Sequence, residues 1–312
     1  MIHQVTVTLA GFRSVFQKQG LFWALLCVLL FPACETRKTP SAPTSAVHTV
    51  TDDLGRQLTL PRQPRRVMAL TPSLTEMLFA VADTASIVGR TQNCDYPAAA
   101  LTKPVVNNYP MDYERLLSLK PDVVFATDGI ISMEVAAQVQ KLGIPVYFQT
   151  YDSVADILRG IRDLGFLLQR EEKANALADS LQARLHQLAI DSSRSARPRV
   201  LAITWRDPIY VFGRNTLFTD KLRYAGGQNA VTETFAQPYP ALTREYILKM
   251  NPEVIIGGDF EKMDKTFFSL YPELRRVDAY RHKRIFEVTD DLMSRPSPRV
   301  VEGIAELKAV LR

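Results

Sequence analysis

Asp291 and Arg295 stand four residues apart in the stretch TDDLMSRPSPR (Thr289 to Arg299), which also holds Asp290, Arg299 and two prolines. A plain surface turn needs far less polar chemistry than this. A carboxylate and a guanidinium aimed at a cleft would offer a polar ligand both acceptors and a rigid fork of donors. The same two groups could instead pair with each other as a turn-stabilising ion pair, which when exposed is worth under about 1 kcal/mol. The apolar run RIFEV precedes the stretch and VVEGIAELKAVL follows it, so it connects a strand to a helix. Ser297 is the expected N-cap and Pro298 the expected first helical residue.

Polar and aromatic residues also follow other expected strands. They include Ser73 in TPS, Tyr96 in TQNCDYP, Tyr109 in NNYP, Thr127 in TDG, Trp205 beside Arg206, and Tyr239 in QPYP. In open α/β sheets ligands bind beyond the carboxyl ends of the strands. Aromatics with Asp and Arg facing one cleft suit a large, partly polar ligand.

Catalytic motifs are missing from the sequence. There is no G-x-S-x-G elbow, no phosphate-binding G-x-x-x-x-G-K-[ST] loop and no G-x-G-x-x-G turn. The four histidines are scattered, with no H-x-x-x-H or C-x-x-C spacing, so no metal site is expected. The paired acids Asp52-Asp53 and Asp290-Asp291 do not by themselves make a glycosidase. The expectation is a protein that is not an enzyme, with no catalytic residue and no cofactor. The net charge of +5 includes Arg13 and Lys18 near the amino terminus, and no basic run is long enough for nucleic acid.

Short apolar runs alternate with helical segments from Arg65 onward. RRVMAL, ASIVGR, KPVV, PDVVFAT and IPVYFQT come first; RVLAITW, PIYVFG, PEVIIGG and RIFEVT come later. This alternation predicts α/β structure with parallel sheets. Between the two groups, Ala174, Leu177, Ala178, Leu181, Leu185 and Leu188 recur at helical spacing. A helix from Glu171 to Ile190 would be about 30 Å long. The expected organisation is a leader over 1–33, a tether over 34–46, a first α/β lobe over 47–152, a helical connector over 153–195 and a second α/β lobe over 196–312.

The leader has a basic start, a short apolar run LFWALLCVLLFPA and a small residue before Cys34. That pattern reads as a lipoprotein signal with Cys34 lipidated, although Phe31 and Pro32 depart from the usual lipobox. An uncleaved amino-terminal anchor is the other reading. Both place the body in an extracytoplasmic space, with Cys94 its one thiol. Beside Asp95, that thiol either borders the cleft or is packed as a small apolar group.

The two halves echo one another. DYERLLSLKPDVVFA (112–126) and TREYILKMNPEVIIG (243–257) align without gaps, with Glu114 opposite Glu245.

From about Val47 to Arg312 the chain resembles the periplasmic substrate-binding proteins of ABC importers for vitamin B12, ferric siderophores and haem. The resemblance lies in RRVMALTPSLTEMLFAVA, IVGRTQNCDYP, MDYERLLSLKPDVVFA and DLMSRPSPRVVEGIAEL. It implies two Rossmann-like lobes joined by a single long backbone helix, the class III architecture, with ligand held between them. The D-x-x-x-R-x-S-P-R pattern at Asp291–Arg299 is similar to that of the cobalamin-binding members. That likeness implies corrinoid contact by Asp291 and Arg295, with Tyr96 beside them. Tyrosines stand here where those members carry tryptophans. The resemblance further implies docking of Glu114 and Glu245 on a permease dimer with its ATPase, and a monomer anchored to a membrane in the periplasm. A ferric siderophore or haem is the alternative ligand. An extracytoplasmic enzyme on a similar scaffold is the remote alternative.

Overall fold

In the computed structural model, residues 47–191, 197–257 and 263–312 are described. The expected leader, Cys34 and the tether lie outside the described residues. No described helix is long and apolar enough to cross a membrane.

The apolar runs of the first half become parallel strands because they are buried on both faces. A hairpin of β1 (Val47–Thr51) and β2 (Gln57–Pro61) comes first. Then follow β3 (Val67–Ala69), α1 (Pro72–Val81), α2 (Tyr113–Ser118), β4 (Val123–Thr127), α3 (Met133–Lys141) and β5 (Val146–Gln149). Strands β3, β4 and β5 lie side by side, parallel, and every residue in them is buried. Thr71 flanks α1 and Pro72 opens it. Ser132 caps α3, and Gly143 follows its end at φ +82°, a conformation that favours glycine.

Two of the expected runs do not become strands. ASIVGR and KPVV supply only the single bridges Val67–Ile87 and Arg90–Val105. Pro104 has no N–H to donate, which stops a ladder from forming there. The hairpin was not expected. Its turn is held on the sheet edge by Asp52, which accepts from Leu54 N, Arg56 N and Phe148 N, and by Asp53, which accepts from Thr150 N. The acidic pair is therefore a structural clamp.

The connector is a pair of packed helices, α4 (Val154–Leu167) and α5 (Glu171–Asp191). Ser153 and Asp156 form a reciprocal capping box at the start of α4. On α5 the expected stripe is real: Ala174, Ala178, Leu181 and Leu185 are buried, with Leu177 and Leu188 packed beside them. Gly165 lets the two helices approach, since a Cβ there would lie 2.3 Å from the Ala174 Cβ. Gly165→Ala is expected to cost ~1–3 kcal/mol through overpacking. A lowered denaturation midpoint with an unchanged slope would show it.

The second half contains β6 (Arg199–Arg206), β7 (Ile209–Val211), α6 (Leu217–Ala225), β8 (Gln228–Asn229), α7 (Arg244–Met250) and β9 (Val254–Gly257). It continues with α8 (Met263–Leu270), α9 (Asp278–Arg281), β10 (Ile285–Glu287), α10 (Asp290–Ser294) and α11 (Val300–Leu311). Its sheet runs β10-β9-β6-β7 with β8 also on β6, and only β7 is antiparallel. Helix α11 starts at Val300, so Ser297 and Pro298 belong to the turn before it. Ser297 Oγ accepts from Arg299 N and its carbonyl accepts from Val300 N, which closes that turn ahead of the helix.

The echo extends to atomic detail. Asp112 and Thr243 cap α2 and α7, and Lys120 and Asn251 both adopt left-handed φ, at 46° and 48°. Asp122 accepts from Arg66 N as Glu253 accepts from Arg199 N. The guanidinium of Arg66 reaches the Leu119 and Lys120 carbonyls; that of Arg199 reaches Met250 and Asn251. Each lobe thus ties the first strand of its parallel sheet to the same helix–proline–strand unit. One apolar cluster runs from Val67 and Phe125 through α4 and α5 to Val200, Phe218 and Ile304, which makes the connector part of both lobes' packing. Val154 N donates to Asp220 on α6, adding a polar tie at the start of the connector.

Candidate functional site

Strands β4 and β5 end at one edge of their sheet, and the residues that follow them face the second lobe across a cleft of about 770 Å³. Thr127 to Ile130 and Thr150 to Asp152 form the first wall. Tyr210, Phe212, Asn215 to Phe218 and Gln237 to Tyr239 form the second, with Ser294 and Pro296 at one end. The volume is within the range that encloses a large small-molecule ligand. Thr127 is fixed by its hydroxyl contact with Thr71, 3.0 Å away. Tyr239 packs edge-on against Phe212 at 5.5 Å and keeps about half its surface open. Burial raises the Tyr239 pKa, and the Asp152 carboxylate raises it further.

Asp291 and Arg295 flank the Ser294–Pro296 end of the cleft, outside its lining. They pair with each other at 2.7 Å, and the pair is part of a larger cluster. Arg295 also meets Glu76 at 3.2 Å and Asp95 at 3.1 Å. Arg299 holds Glu76 through two hydrogen bonds, 2.8 Å from Nε and 2.5 Å from Nη2. The same guanidinium lies 4.1 Å from the centre of the Tyr96 ring. Glu76, on α1, has a side chain only 1% exposed, and that of Arg295 is 14% exposed. Glu76, Asp95 and Tyr96 belong to the first lobe; Asp291, Arg295 and Arg299 belong to the second. The connection TDDLMSRPSPR therefore bolts the lobes together, which explains its density of charge.

Titration within the cluster follows from these contacts. Burial opposes ionisation of Asp95, but the Arg295 hydrogen bond and charge outweigh it and hold the pKa below the usual carboxylate value. Burial raises the Asp291 pKa against the pull of Arg295. The hydrogen bond to Glu76 raises the Arg299 pKa further. Beneath α10, the fully buried Lys221 donates to the Leu292, Met293 and Arg295 carbonyls at 3.1, 3.1 and 2.8 Å. Its burial lowers the pKa to about 7. Gly303 completes the support: a Cβ there would lie 2.5 Å from the Leu292 carbonyl oxygen, so only glycine lets α11 sit this close to α10.

The other expected residues divide into two groups. Thr127 and Tyr239 line the cleft, and Tyr96 joins the ion cluster. Ser73 is buried within α1 and does not line the cleft. Tyr109 is 89% exposed on its loop. Trp205 is 56% exposed, outside the cleft lining, and its indole N–H donates to the Asp207 carbonyl. Its cross-strand neighbour Tyr210 is the residue that lines the cleft. Sequence reasoning missed Glu76 and Arg299, whose partners lie more than two hundred positions away along the chain. Cys94 is fully buried, its sulfur 3.1 Å from the Thr75 hydroxyl and 2.9 Å from the Thr91 hydroxyl. Glu114 on α2 and Glu245 on α7 are both exposed.

Residues 67–292 match the family model described as periplasmic binding protein. The chain is 28% identical over 306 residues to an uncharacterized ABC transporter substrate-binding lipoprotein of Bacillus subtilis, covering 93% of this chain and 96% of that one. It is 24% identical over 252 residues to the vitamin B12-binding protein of Vibrio parahaemolyticus, covering 80% and 90%. A periplasmic heme binding protein from Pseudomonas aeruginosa has the same fold, with a TM-score of 0.71 at 23% identity, covering 80% of this chain and 92% of that one. With a family match over most of its length and the two-lobed architecture to go with it, the chain belongs to the periplasmic binding protein family, as a substrate-binding protein of the ABC-transporter type.

Proposed function

We propose that the protein captures a corrinoid, cobalamin or a close relative, between its lobes and delivers it to an ABC importer without chemical change. The observation that carries this reading is the cleft itself: wide, aromatic on both walls, and lined by hydroxyl and amide groups from Thr127, Thr150, Asn215 and Gln237 beside the carboxylates of Asp128 and Asp152. A corrin macrocycle presents flat apolar faces and a fringe of carboxamides, which such a lining complements. The vitamin B12-binding relative supports the same ligand. In this reading Thr127, Tyr239, Tyr96 and Asp291 meet the ligand and Arg295 fixes Asp291 from behind, while Ser73, Tyr109 and Trp205 are not among the lining residues. Glu114 and Glu245, at matching places in two matching units, would meet the two halves of a permease dimer whose ATPase drives transport. Lipidation at Cys34 would hold the protein, as a monomer, to the membrane facing the extracytoplasmic space. The second reading is a ferric siderophore or haem, favoured by Tyr210 and Tyr239 in the cleft, since tyrosine is a competent haem ligand.

Calorimetric titration with cyanocobalamin, haemin and a ferric hydroxamate tests this. One-to-one binding of cyanocobalamin is expected, weakened about tenfold by Asp291→Ala through the loss of a charged hydrogen-bond acceptor. Heat from an iron chelate alone would replace the corrinoid by the second reading.

A further inference from the structure

A recess of about 360 Å³ opens off the cleft and shares Asp152, Asn215 and Thr216 with it. Three arginines line the recess: Arg197 just ahead of β6, Arg214 just past β7, and Arg223 on α6. Two acids, Asp152 and Asp220, line it as well.

These five charges are not equally available. Asp220 is fully engaged: one carboxylate oxygen takes Arg223 at 2.5 Å, and the other accepts from Val154 N at 2.8 Å. Arg223 is thereby balanced. Among the described residues, the side chains of Arg197 and Asp152 form no ion pair, and Arg214 donates to one neutral group, the Thr232 carbonyl at 3.2 Å. Two open guanidiniums therefore stand against one open carboxylate. A guanidinium carries five N–H donors in a fixed fork, so Arg214 has donors to spare.

The backbone that carries Arg214 is held in place. Gly213 N donates to the Pro238 carbonyl at 2.8 Å, and a Cβ on Gly213 would lie 2.8 Å from that same oxygen. The buried Asn229 side chain donates to the Phe212 and Gly213 carbonyls at 3.0 and 3.1 Å. One short segment thus sets Phe212 in the cleft and, two residues later, Arg214 in the recess. A donor fixed before the ligand arrives loses little freedom on binding.

We propose that the recess is an anion subsite of the cleft, in which Arg214 and Arg197 take a phosphate or carboxylate carried on a side arm of the captured macrocycle. This rests on the binding role proposed above and names the part of the ligand that is read there. Phosphate and carboxylate oxygens both accept the paired donors of a guanidinium. A corrinoid with its nucleotide arm carries one phosphodiester, while its ring is fringed with neutral amides. Haem, the second reading, carries propionates.

The test is calorimetric titration of the wild-type protein and of the Arg197→Gln, Arg214→Gln double variant. The probes are cyanocobalamin, cyanocobinamide, haemin and haemin dimethyl ester. Cyanocobinamide has the same ring without the nucleotide arm and its phosphate; the ester has the same porphyrin without its carboxylates. The double variant should bind cyanocobalamin about tenfold more weakly, through loss of charged hydrogen bonds, and cyanocobinamide as the wild type does. Equal losses for both corrinoids, or no loss for either, overturn the subsite and leave the corrinoid reading standing. Where cyanocobinamide does not bind, the Arg197→Lys, Arg214→Lys variant decides. It keeps both charges, so recovery of most of the affinity for cyanocobalamin upholds the subsite, and a loss as large as that of the glutamine variant overturns it. If haemin binds and neither corrinoid does, the corrinoid reading falls. The subsite then stands if the glutamine variant weakens haemin and spares the ester, and falls if it treats them alike. Silence from all four probes overturns both.

Discussion

Glu76→Ala is expected to destabilise the protein by ~3–5 kcal/mol, because it removes the acidic partner at the centre of a largely buried ion cluster. Arg299 loses both of its Glu76 hydrogen bonds, and Arg295 loses one of its three carboxylates. Glu76→Gln keeps the shape and one acceptor, so it should cost less, about 1–3 kcal/mol for a buried hydrogen bond to a charged group. The two costs separate charge from shape. A double-mutant cycle with Arg299→Met isolates the pair. A buried ion pair is often replaceable by apolar groups of like volume at little cost. Glu76→Leu with Arg299→Met should therefore recover much of what Glu76→Ala loses. Denaturant unfolding measures each of these proteins, and a loss below about 1 kcal/mol for Glu76→Ala would mean that the cluster is solvated and contributes little to the union of the lobes.

That cluster marks where the sequence stops being informative. The parallel strands were legible because double burial makes them continuous apolar runs: VVFAT and VYFQ could hardly be anything else. Helix α5 was legible from its spacing of three and four. The hairpin was not, because β1 alternates exposed and half-buried residues and its edge is held by the aspartates of its turn rather than by apolar side chains. Glu76 was hidden for a different reason. Leu74, Met77, Leu78 and Val81 form the buried face of α1, and an acid off that face reads as solvent-exposed. It is covered instead by a segment from the other lobe, and helical periodicity carries no trace of that contact. The pairing of Asp291 with Arg295 was legible from their i, i+4 spacing. Their partners Glu76 and Asp95 were not. A cleft does open beyond the strand ends where the sequence suggested one, and Tyr210 lines it where its neighbour Trp205 does not. The side of a strand that a residue faces is set by register, and here β6 and β7 pair with an irregularity between Ile203 and Trp205.

Lys221→Met should abolish a pH dependence that the wild-type protein carries between about pH 7 and pH 10. The ordinary lysine pKa of 10.5 falls to about 7 in the fold, chiefly through burial, with Glu76 opposing the fall and Arg299 adding to it. Over the interval between these values the unfolded chain holds a proton on Lys221 that the folded protein releases. Stability must then rise with pH, by about 1.4 kcal/mol for each unit in the middle of the interval. Below pH 7 both states are protonated and this contribution is flat. The three carbonyls that receive the side chain match the three donors of an ammonium, which favours the charged form. Burial and hydrogen bonding therefore pull in opposite directions, and the measured slope shows which is stronger. The informative quantity is the difference in unfolding free energy between wild type and Lys221→Met at pH 6.5 and pH 9, since it cancels every other titration. A difference that grows by ~2 kcal/mol in favour of wild type confirms the lowered pKa. A constant difference means the carbonyls hold Lys221 charged throughout. In either case the variant leaves the Leu292, Met293 and Arg295 carbonyls without their shared donor, at about 1–3 kcal/mol for each one that stays buried and unpaired. Because that segment carries Ser294 and Pro296 into the cleft, ligand affinity should fall along with stability.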